Sequence, residues 1–293
     1  MPQASDGWPT VTVVIPARNE EQHLGATLEA LRGQDYPCDR MDVVVVDNGS
    51  TDGTVHVATQ ASVRVLSEPA PSSYRARNHV VLGSAAEYLA FIHADCRAEP
   101  SWLRALVVAA KSNGSRFVAG RTENRVERAT LGARLLAIRA TPETRRRDIE
   151  AAAVAAGNML VAREVFPEHG LFDSAASGSD IESSRRASAG GERIAYAGSA
   201  VVWHSCDLSD FDYLRRSFRI AHGQAIHQRV GVGRCLARVP WRPGIARALE
   251  LSSELGLDGV PGRVRLWLYL WADRVFAYLG GIAGAIHGRR RHQ

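Results

Sequence analysis

Short runs dominated by β-branched and apolar residues recur in the first hundred residues of this chain, and segments with helical spacing separate them. The runs cover residues 10–15, 42–46, 63–66 and 88–92. The first run stops at Pro16, and Leu24, Leu28 and Leu31 follow at the spacing of one helix face. Strands that are apolar on both sides and alternate with helices are typical of a parallel sheet covered on both faces. The pattern therefore predicts an α/β domain with a mostly parallel, Rossmann-like central sheet flanked by helices.

The rest of the chain follows a looser pattern. It predicts strands over residues 117–120, 157–162 and 193–203, and helices over residues 179–190 and 207–228. Residues 123–150 are polar and rich in arginine, which predicts a mobile excursion with some helix. We therefore expect one α/β domain over residues 1–205 and a helical extension over residues 206–293.

Composition limits the compartment and the partners. The four cysteines are widely scattered and match neither paired zinc spacing nor a disulfide framework, so we expect a reducing, cytoplasmic compartment. The first ten residues lack the basic and apolar regions of a signal peptide. The net charge of +5 is modest. Arginine runs at 145–147 and 289–291 suit phosphate or anionic lipid, or are a solvated loop and tail. Aromatic and basic residues do not interleave, so we expect no nucleic-acid partner.

Polar side chains follow three of the predicted strands, at residues 16–20, 47–52 and 93–95. Ligands of such sheets bind beyond the carboxyl ends of the strands. Alternation in an extended backbone puts His93 and Asp95 on the same side. The residues after the first strand lack the glycines of a dinucleotide fingerprint or a P-loop, which disfavours both. Each cluster could also be a turn, and Ser50 or Thr51 could be a helix cap.

A series of motifs carries a resemblance to a known family. In chain order they are IPARNEE, VVVVDNGSTDGT, SYRARN, FIHADCRAEPSWL, GNMLVAREVF and SGSDIESSRR. Together they resemble the family 2 glycosyltransferases of the GT-A fold, over roughly residues 11–205. The resemblance implies transfer of a hexosyl or related sugar from a nucleotide-diphosphate sugar to an acceptor hydroxyl, with inversion and usually with Mn²⁺ or Mg²⁺. It also implies a nucleotide-sugar half over residues 1–120 and an acceptor half over residues 121–205.

The resemblance assigns the metal site. The family's Asp-x-Asp motif falls on His93-Ala94-Asp95, and Asp95 matches the last carboxylate, which in the family helps to hold the metal on the donor diphosphate. His93 replaces the first aspartate, although a neutral imidazole could ligate Mn²⁺ or donate to phosphate. His204 matches a family histidine that can reach the metal or the diphosphate. The alternative for His204 is a buried histidine satisfied by the backbone.

Other positions are implied to contact the nucleotide sugar. Pro16 and Ala17 would bring backbone near the nucleobase, and Glu20 would lie near the ribose or simply favour a helix N-terminus. Asp47 would accept from the base. The remaining two are Asn48 and Arg77, of which Arg77 would approach the base or the diphosphate.

The acceptor side depends on Asp180. Related enzymes carry a Glu-Asp pair here whose aspartate is the general base, and this chain keeps Asp180 but has Ser179 in place of the glutamate. Ser179-x-x-Glu182 also fits a capping box, which would put Asp180 in the first helical turn. The two interpretations are compatible. Glu182 is the other candidate base, but it lies around the helix from Asp180.

The last segment, residues 263–287, contains Trp267, Tyr269 and Trp271 among leucines. Adjacent charges at Asp273 and Arg274 make a spanning helix costly. A helix in the bilayer interface and a helix packed on the core both remain open. With the arginine runs, this segment suggests an anionic or lipid-linked acceptor and peripheral contact with the inner face of a membrane.

Two other functions fit part of the pattern. A sugar-phosphate nucleotidylyltransferase has a related sheet but should show a glycine-rich, arginine-bearing loop after the first strand, where this chain has IPARNEE. A degenerate nucleotide-binding or scaffold protein of the same fold would explain His93 and Ser179 as marks of lost catalysis.

Overall fold

The apolar runs of the sequence form strands of a single sheet. The computed structural model of the protein describes residues 7–174, 177–236, 245–257 and 259–291. The eight strands are β1 Val11–Ala17, β2 Met41–Asp47, β3 Arg64–Ser67, β4 Tyr88–Ile92, β5 Cys96–Ala98, β6 Phe117–Arg125, β7 Asn158–Ala162 and β8 Ile194–Ser205. Their order in the sheet is β3-β2-β1-β4-β7-β6-β8-β5. The predicted α/β class, with a central sheet and flanking helices, is confirmed.

The direction of the strands changes across the sheet. The four strands β3, β2, β1 and β4 are mutually parallel, as predicted. β7 runs antiparallel to both β4 and β6, while β6 and β8 are parallel and β5 is antiparallel to β8. The second half of the sheet is therefore mixed. A short apolar run such as β7, which is buried on both faces, carries no signal for strand direction.

Helices precede or follow most strands. They are α1 Leu24–Arg32, α2 Thr54–Gln60, α3 Ser73–Gly83, α4 Trp102–Asn113, α5 Leu131–Arg139, α6 Pro142–Glu150, α7 Val165–His169, α8 Ser179–Ala189, α9 Asp210–His227, α10 Val232–Leu236, α11 Ile245–Glu254 and α12 Val260–Arg291. In β1, Val13 and Ile15 pack with α1 and α4, and Val14 packs on the other face with α3. Burial on both faces explains why apolar residues occupy both faces of the strand.

The chain forms two compact units. The first contains the described residues of 7–125, 140–174 and 179–205, and the second those of 126–139, 177–178 and from 206 onward. Residues 126–139, which the sequence assigns to the acceptor half of the α/β domain, are part of the second unit. The basic run at 289–291 lies at the end of α12, and its side chains are outside the described residues.

Residues 123–150 are more regular than predicted. β6 continues to Arg125, and α5 and α6 follow. Thr141 caps α6 by accepting a hydrogen bond from the backbone N–H of Thr144 at 3.2 Å. Among the described side chains of α6, Ile149 is the one that is buried, so the sequence shows no apolar period there. That absence of a period is why composition suggested a mobile excursion.

The second unit is held together around α12. Asp273, which we expected to interrupt the apolar segment, is buried, and its Oδ2 accepts from Nη1 of Arg139 at 2.9 Å. Ser217 of α9 also donates to Asp273. Gly280 and Gly284 lie against α9 so closely that a methyl group at either would overlap the backbone carbonyl of Phe218 or His222. In the described parts of the chain, no helix is both long and apolar enough to cross a membrane.

Candidate active site

The loops after β1 and β2 are joined by hydrogen bonds. Asn19 adopts a left-handed backbone with φ +56°, a conformation that asparagine tolerates better than most residues. Its N–H donates to Oγ of Ser50 at 3.1 Å, and its Oδ1 accepts from the N–H of Thr51 at 2.8 Å. The N–H of Glu21 donates to Oδ2 of Asp52 at 3.2 Å. Two of the three predicted polar clusters therefore do meet at one edge of the sheet.

Within the second cluster, Asp47 and Asn48 have structural partners. Oδ1 of Asp47 accepts from the N–H of Ser50 at 3.1 Å, which is the turn chemistry considered above. Asn48 is 4% exposed, and its amide donates to the carbonyls of Glu68 at 2.9 Å and Ala70 at 2.6 Å. Both amide hydrogens of Asn48 are thus satisfied inside the protein, which explains this residue without a ligand.

The third cluster is completed by the last strand. β5 pairs with β8 so that Cys96 lies opposite His204, and the N–H of Ser205 donates to the carbonyl of Asp95 at 3.0 Å. This pairing places Nε2 of His204 at 3.3 Å from Oδ2 of Asp95. The rings of His93 and His204 lie 6.2 Å apart between centroids. One carboxylate and two imidazoles therefore share this edge of the sheet.

Burial and neighbouring charges set the protonation of this cluster. Burial alone would raise the pKa of Asp95, but the hydrogen bond and charge of His204, with the charge of His93, hold that pKa well below its usual range. Burial lowers the pKa of His93 to about 4, and the charges of Arg77 and His204 act in the same direction. At neutral pH Asp95 is thus an anion and His93 a neutral imidazole with a free lone pair.

Glu20 faces the same cluster from the loop after β1. Burial and the charge of Asp95 raise the pKa of Glu20 to about 7, although His23, at 3.2 Å from its Oε2, opposes the shift. The backbone carbonyl of Glu20 also accepts from the N–H of Leu24 at 2.9 Å, at the start of α1. Both predicted roles, a place at the ligand edge and a place at a helix N-terminus, are therefore compatible with the structure.

The donor atoms of this cluster suit a divalent cation. One ligand atom each of His93, Asp95 and Cys96 lie within 4.8 Å of one another. Cys96 is fully buried, and burial raises the pKa of its thiol well above the usual value, so it offers no thiolate. Asp95 and the two histidines remain, a carboxylate and imidazole set that Mn²⁺ accepts and that Mg²⁺ accepts less readily.

Asp180 lies in the first turn of α8, as the capping pattern predicted, and it is 8% exposed. Its Oδ1 accepts from the hydroxyl of Tyr74 at 3.0 Å, and its Oδ2 accepts from the N–H of Ala156 at 2.8 Å. Glu182, the other candidate base, accepts from Nη1 of Arg186 with both oxygens, at 2.9 and 2.7 Å. Asp180 is therefore bound by a tyrosine hydroxyl and a backbone N–H, whereas Glu182 is paired with an arginine.

Arg77 is a buried cation beside Asp180. It is 2% exposed, its Nη1 donates to the carbonyl of Ser73 at 3.1 Å, and its Cζ lies 5.4 Å from the ring centroid of Tyr74. Burial lowers its pKa, and the charges of Tyr74 and Asp180 act against that change. Its Nε has no hydrogen-bond partner among the described residues, which leaves one buried donor available to an anion.

His93 is within electrostatic range of both carboxylates of the site. The charges of Asp95, Arg77, His204 and Asp180 all act on its imidazole. The predicted acidic, basic and imidazole residues therefore interact electrostatically at this edge of the sheet. Pro16 and Ala17 form the end of β1 at the same edge, where the carbonyl of Ala17 accepts from the N–H of Asn48 at 2.8 Å.

Comparison with known proteins assigns the chain to a family. Residues 12–170, more than half of the chain, match the family described as Glycosyl transferase family 2. The chain belongs to this family. Glycosyltransferase AglE of Haloferax volcanii is 27% identical over 243 residues, which are 80% of this chain and 80% of that protein. An uncharacterized glycosyltransferase of Mycobacterium tuberculosis is 37% identical over 111 residues, which are 38% of this chain and 48% of that protein.

Solved structures share the fold of this glycosyltransferase. The mannosyltransferase PcManGT from Pyrobaculum calidifontis, solved in complex with GDP-Man and Mn²⁺, superimposes with a TM-score of 0.62 at 18% identity, over 99% of this chain and 89% of that one. Staphylococcus aureus TarS superimposes with a TM-score of 0.53 at 16% identity, over 72% of this chain and 39% of that one. The GT-A fold expected from the motifs is confirmed.

Tyr74 is the site residue that the sequence analysis of this glycosyltransferase missed. It lies within the motif SYRARN, whose two arginines are the more evident ligands for a nucleotide. Its hydroxyl donates to Asp180, which lies 106 positions later in the chain, and local sequence patterns do not predict a contact over that separation. Apart from its place in the motif, nothing in the sequence around Tyr74 indicated a role in the site.

Proposed function

We propose that this glycosyltransferase moves a sugar from a nucleotide-diphosphate sugar to an acceptor hydroxyl with inversion at the anomeric carbon. The observation that carries the proposal is that the charges of Asp95, Arg77, His204 and Asp180 all act on the imidazole of His93. It supports a site in which an anionic diphosphate and a proton-accepting carboxylate face one reacting sugar. The PcManGT complex with GDP-Man and Mn²⁺ supports a nucleotide-sugar donor and a metal in a similar fold.

On the donor side, Asp95 and His204 would hold Mn²⁺ or Mg²⁺, with His93 as a further neutral ligand or a donor to phosphate. When bound, the cation supplies neutralisation of the negative charge that develops on the departing diphosphate. Arg77 acts on the same charge, because its unpaired Nε–H is a buried donor. Pro16, Ala17, Glu20 and Asp47 would contact the nucleoside from the ends of β1 and β2.

On the acceptor side, Asp180 is the general base. It takes the proton of the acceptor hydroxyl while the hydroxyl oxygen bonds to the anomeric carbon and the bond from that carbon to the diphosphate oxygen breaks. Tyr74 and the N–H of Ala156 fix the direction of the carboxylate. A base opposite the leaving group gives direct displacement, and inversion follows from that geometry.

The acceptor is anionic or lipid-linked, and we place the enzyme in the cytoplasm at the inner face of the membrane. Two features support this part of the proposal. The sequence of α12 contains six arginines and a single acidic residue, Asp273. Asp273 is buried and paired with Arg139, so it does not offset the positive charge at the surface.

The test is a thermal-shift panel of nucleotide diphosphates and nucleotide sugars, each with and without Mn²⁺. One nucleotide should raise the melting temperature by roughly 5 °C at about 100 times its Kd, and only with the metal. Asp95→Asn should abolish the metal-dependent part of that shift. Asp35→Asn, which breaks the exposed pair with Arg104 at 2.6 Å, is the matched control and should leave the shift intact.

Transfer itself is measured as release of the nucleotide with candidate acceptors. If no sugar nucleotide is bound or cleaved in the presence of Mn²⁺, the proposal fails and a non-catalytic member of the same fold takes its place. The replacement of the first motif aspartate by His93 is the feature that would then explain the loss.

A further inference from the structure

One face of α12 carries exposed apolar side chains along nearly the whole helix. We call them the apolar stripe: Val260, Val264, Leu268, Trp271, Leu279 and Ile286, which are between 43% and 72% exposed. Half-buried Val275 and Ile282 fill the gaps in the row. The pattern repeats every 11 residues, as in Val260, Trp271 and Ile282. Because an α-helix has about 3.6 residues per turn, a repeat of 11 keeps the row on one side of a nearly straight helix.

The opposite side of α12 packs inside the second unit. Leu266 and Leu270 are buried, Asp273 pairs with Arg139, and the glycines at 280 and 284 lie against α9. The apolar stripe is therefore not part of the packed core of the second unit. Single exposed apolar residues need no explanation, but a continuous row along a helix marks an interaction surface.

A cavity of about 670 Å³ adjoins the first half of the stripe. Leu131 of α5, Pro261 and Tyr269 line it together with three members of the stripe, Val260, Val264 and Leu268. Asp210 and Arg265 form its polar side, 3.9 Å apart. The cavity thus extends the stripe into a mostly apolar recess with a charged rim, a shape that accepts the end of an acyl chain.

The exposed charges that α12 itself carries beside the stripe are positive. Exposed Arg263 and Arg274 lie on one flank by helical spacing, and exposed Arg265 lies on the other. Among the described side chains of α12, the one acidic group is Asp273, which is buried. Two copies of the helix packed through the stripe would bring these arginines together, which is unfavourable. An anionic surface would pair with them instead.

We propose that the apolar stripe and its flanking arginines dock this protein on an anionic lipid bilayer. α12 lies along the membrane plane, with the stripe at the boundary of headgroups and acyl chains and the arginines at the phosphates. Trp271 sits at the depth that tryptophan prefers. The purpose of docking, which is to bring the enzyme to a lipid-linked acceptor, rests on the proposed function. Binding of the helix to the membrane does not depend on catalysis.

The test is flotation of the full chain with vesicles of phosphatidylcholine containing phosphatidylglycerol, and with vesicles of phosphatidylcholine alone. The wild type should float with the anionic vesicles and detach as salt screens the arginines. The double variant Val264→Glu with Leu268→Glu should bind at least about tenfold more weakly, because both side chains would enter the acyl boundary. Leu82→Glu, which changes a leucine that is 74% exposed on α3, is the matched control and should float like the wild type.

A second variant separates charge from apolar contact. Arg263→Gln with Arg265→Gln should lose much of the preference for phosphatidylglycerol, with an unchanged melting temperature. The proposal is overturned if the wild type does not float, or if the stripe variant floats as well as the wild type. It is also overturned if the stripe variant instead dissociates a wild-type dimer that does not bind vesicles.

The same preparations distinguish the two proposals. The nucleotide thermal shift is measured in solution without vesicles. If nucleotides bind with Mn²⁺ and vesicles do not bind, the docking inference and the membrane placement fail, while the proposed sugar transfer stands. If vesicles bind and nucleotides do not, the proposed function alone fails.

Discussion

The two carboxylates of the candidate site are held by partners of different kinds. Asp95, with a side chain 26% exposed, meets the side chains of two histidines. Asp180, 8% exposed, is bound by a tyrosine hydroxyl and backbone N–H groups. Histidine partners can exchange protons or share a cation, whereas backbone donors fix a direction. The difference supports the proposed roles, a ligand position at Asp95 and an oriented proton acceptor at Asp180.

The variant Asp180→Asn should have the largest effect on this difference. Loss of a general base should lower kcat by about 10²- to 10⁴-fold. Metal-dependent nucleotide binding should be unchanged, because Asp180 is not among the candidate ligands. Glu182→Gln is the matched control, since that carboxylate is paired with Arg186, and it should retain nearly full activity. Equal losses in both variants would remove the special role of Asp180.

Tyr74→Phe should have an intermediate effect. It keeps the ring beside Arg77 and Phe172 but deletes the hydroxyl that donates to Asp180 at 3.0 Å. A hydrogen bond to a charged group contributes about 1.5–3 kcal/mol, so kcat should fall by about tenfold or more while the KM for the donor stays the same.

The control for this change is Tyr36→Phe. Its hydroxyl donates to the carbonyl of Pro9 at 2.6 Å, so it loses a buried tyrosine hydrogen bond outside the site. It should lower stability without lowering kcat. A rise in donor KM with an unchanged kcat in Tyr74→Phe would place Tyr74 on the donor side instead.

The smallest expected effect concerns Glu20 on the Asp95 side. Because its folded pKa is raised to about 7 from 4.5, the folded state binds more protons than the unfolded state between those values. Ionisation of Glu20 therefore lowers stability as pH rises from about 4.5 to 7. Glu20→Gln should gain stability relative to the wild type over this window, measured by urea unfolding in the presence of a chelator.

His93 also titrates in this pH range, so the stability of Glu20→Gln must be compared with that of the wild type at each pH. Its pKa of about 4 favours the neutral folded form, so its own contribution is lost as pH falls from 6.5 toward 4. The two residues thus change the stability of the wild type in opposite directions, and the difference between variant and wild type isolates Glu20. A difference that does not vary with pH would mean that neither burial nor the charge of Asp95 raises the pKa of Glu20 in the folded protein.

The sequence predicted the positions of helices and strands better than the way in which the strands pair. Apolar runs located β1, β2 and β4. The polar residues after them predicted a ligand-binding edge of the sheet. Strand direction was not predictable for β7, because a run that is apolar on both faces is compatible with either direction. The pairing of Cys96 with His204, which brings His204 to Asp95, also lay beyond local patterns.

Contacts between helices that lie far apart in the sequence could not be predicted either. Asp273 looked like an interruption of an apolar segment because its partner, Arg139, lies 134 positions earlier in the chain. Tyr74 and Asp180 present the same difficulty. Family motifs supplied the roles of several residues, but the position of each side chain required the packed structure.

The contact of Gly157 with the ring of His93 has a practical consequence. A β-carbon at position 157 would lie 3.0 Å from Cε1 of that ring, so alanine would displace the imidazole by a few tenths of an ångström. A substitution of His93 itself removes the ring nitrogen that could bind a metal or phosphate, as well as changing its position. Substitution of Gly157 instead shifts the ring and keeps the imidazole. The reaction rate can then be measured as a function of the position of that ring nitrogen.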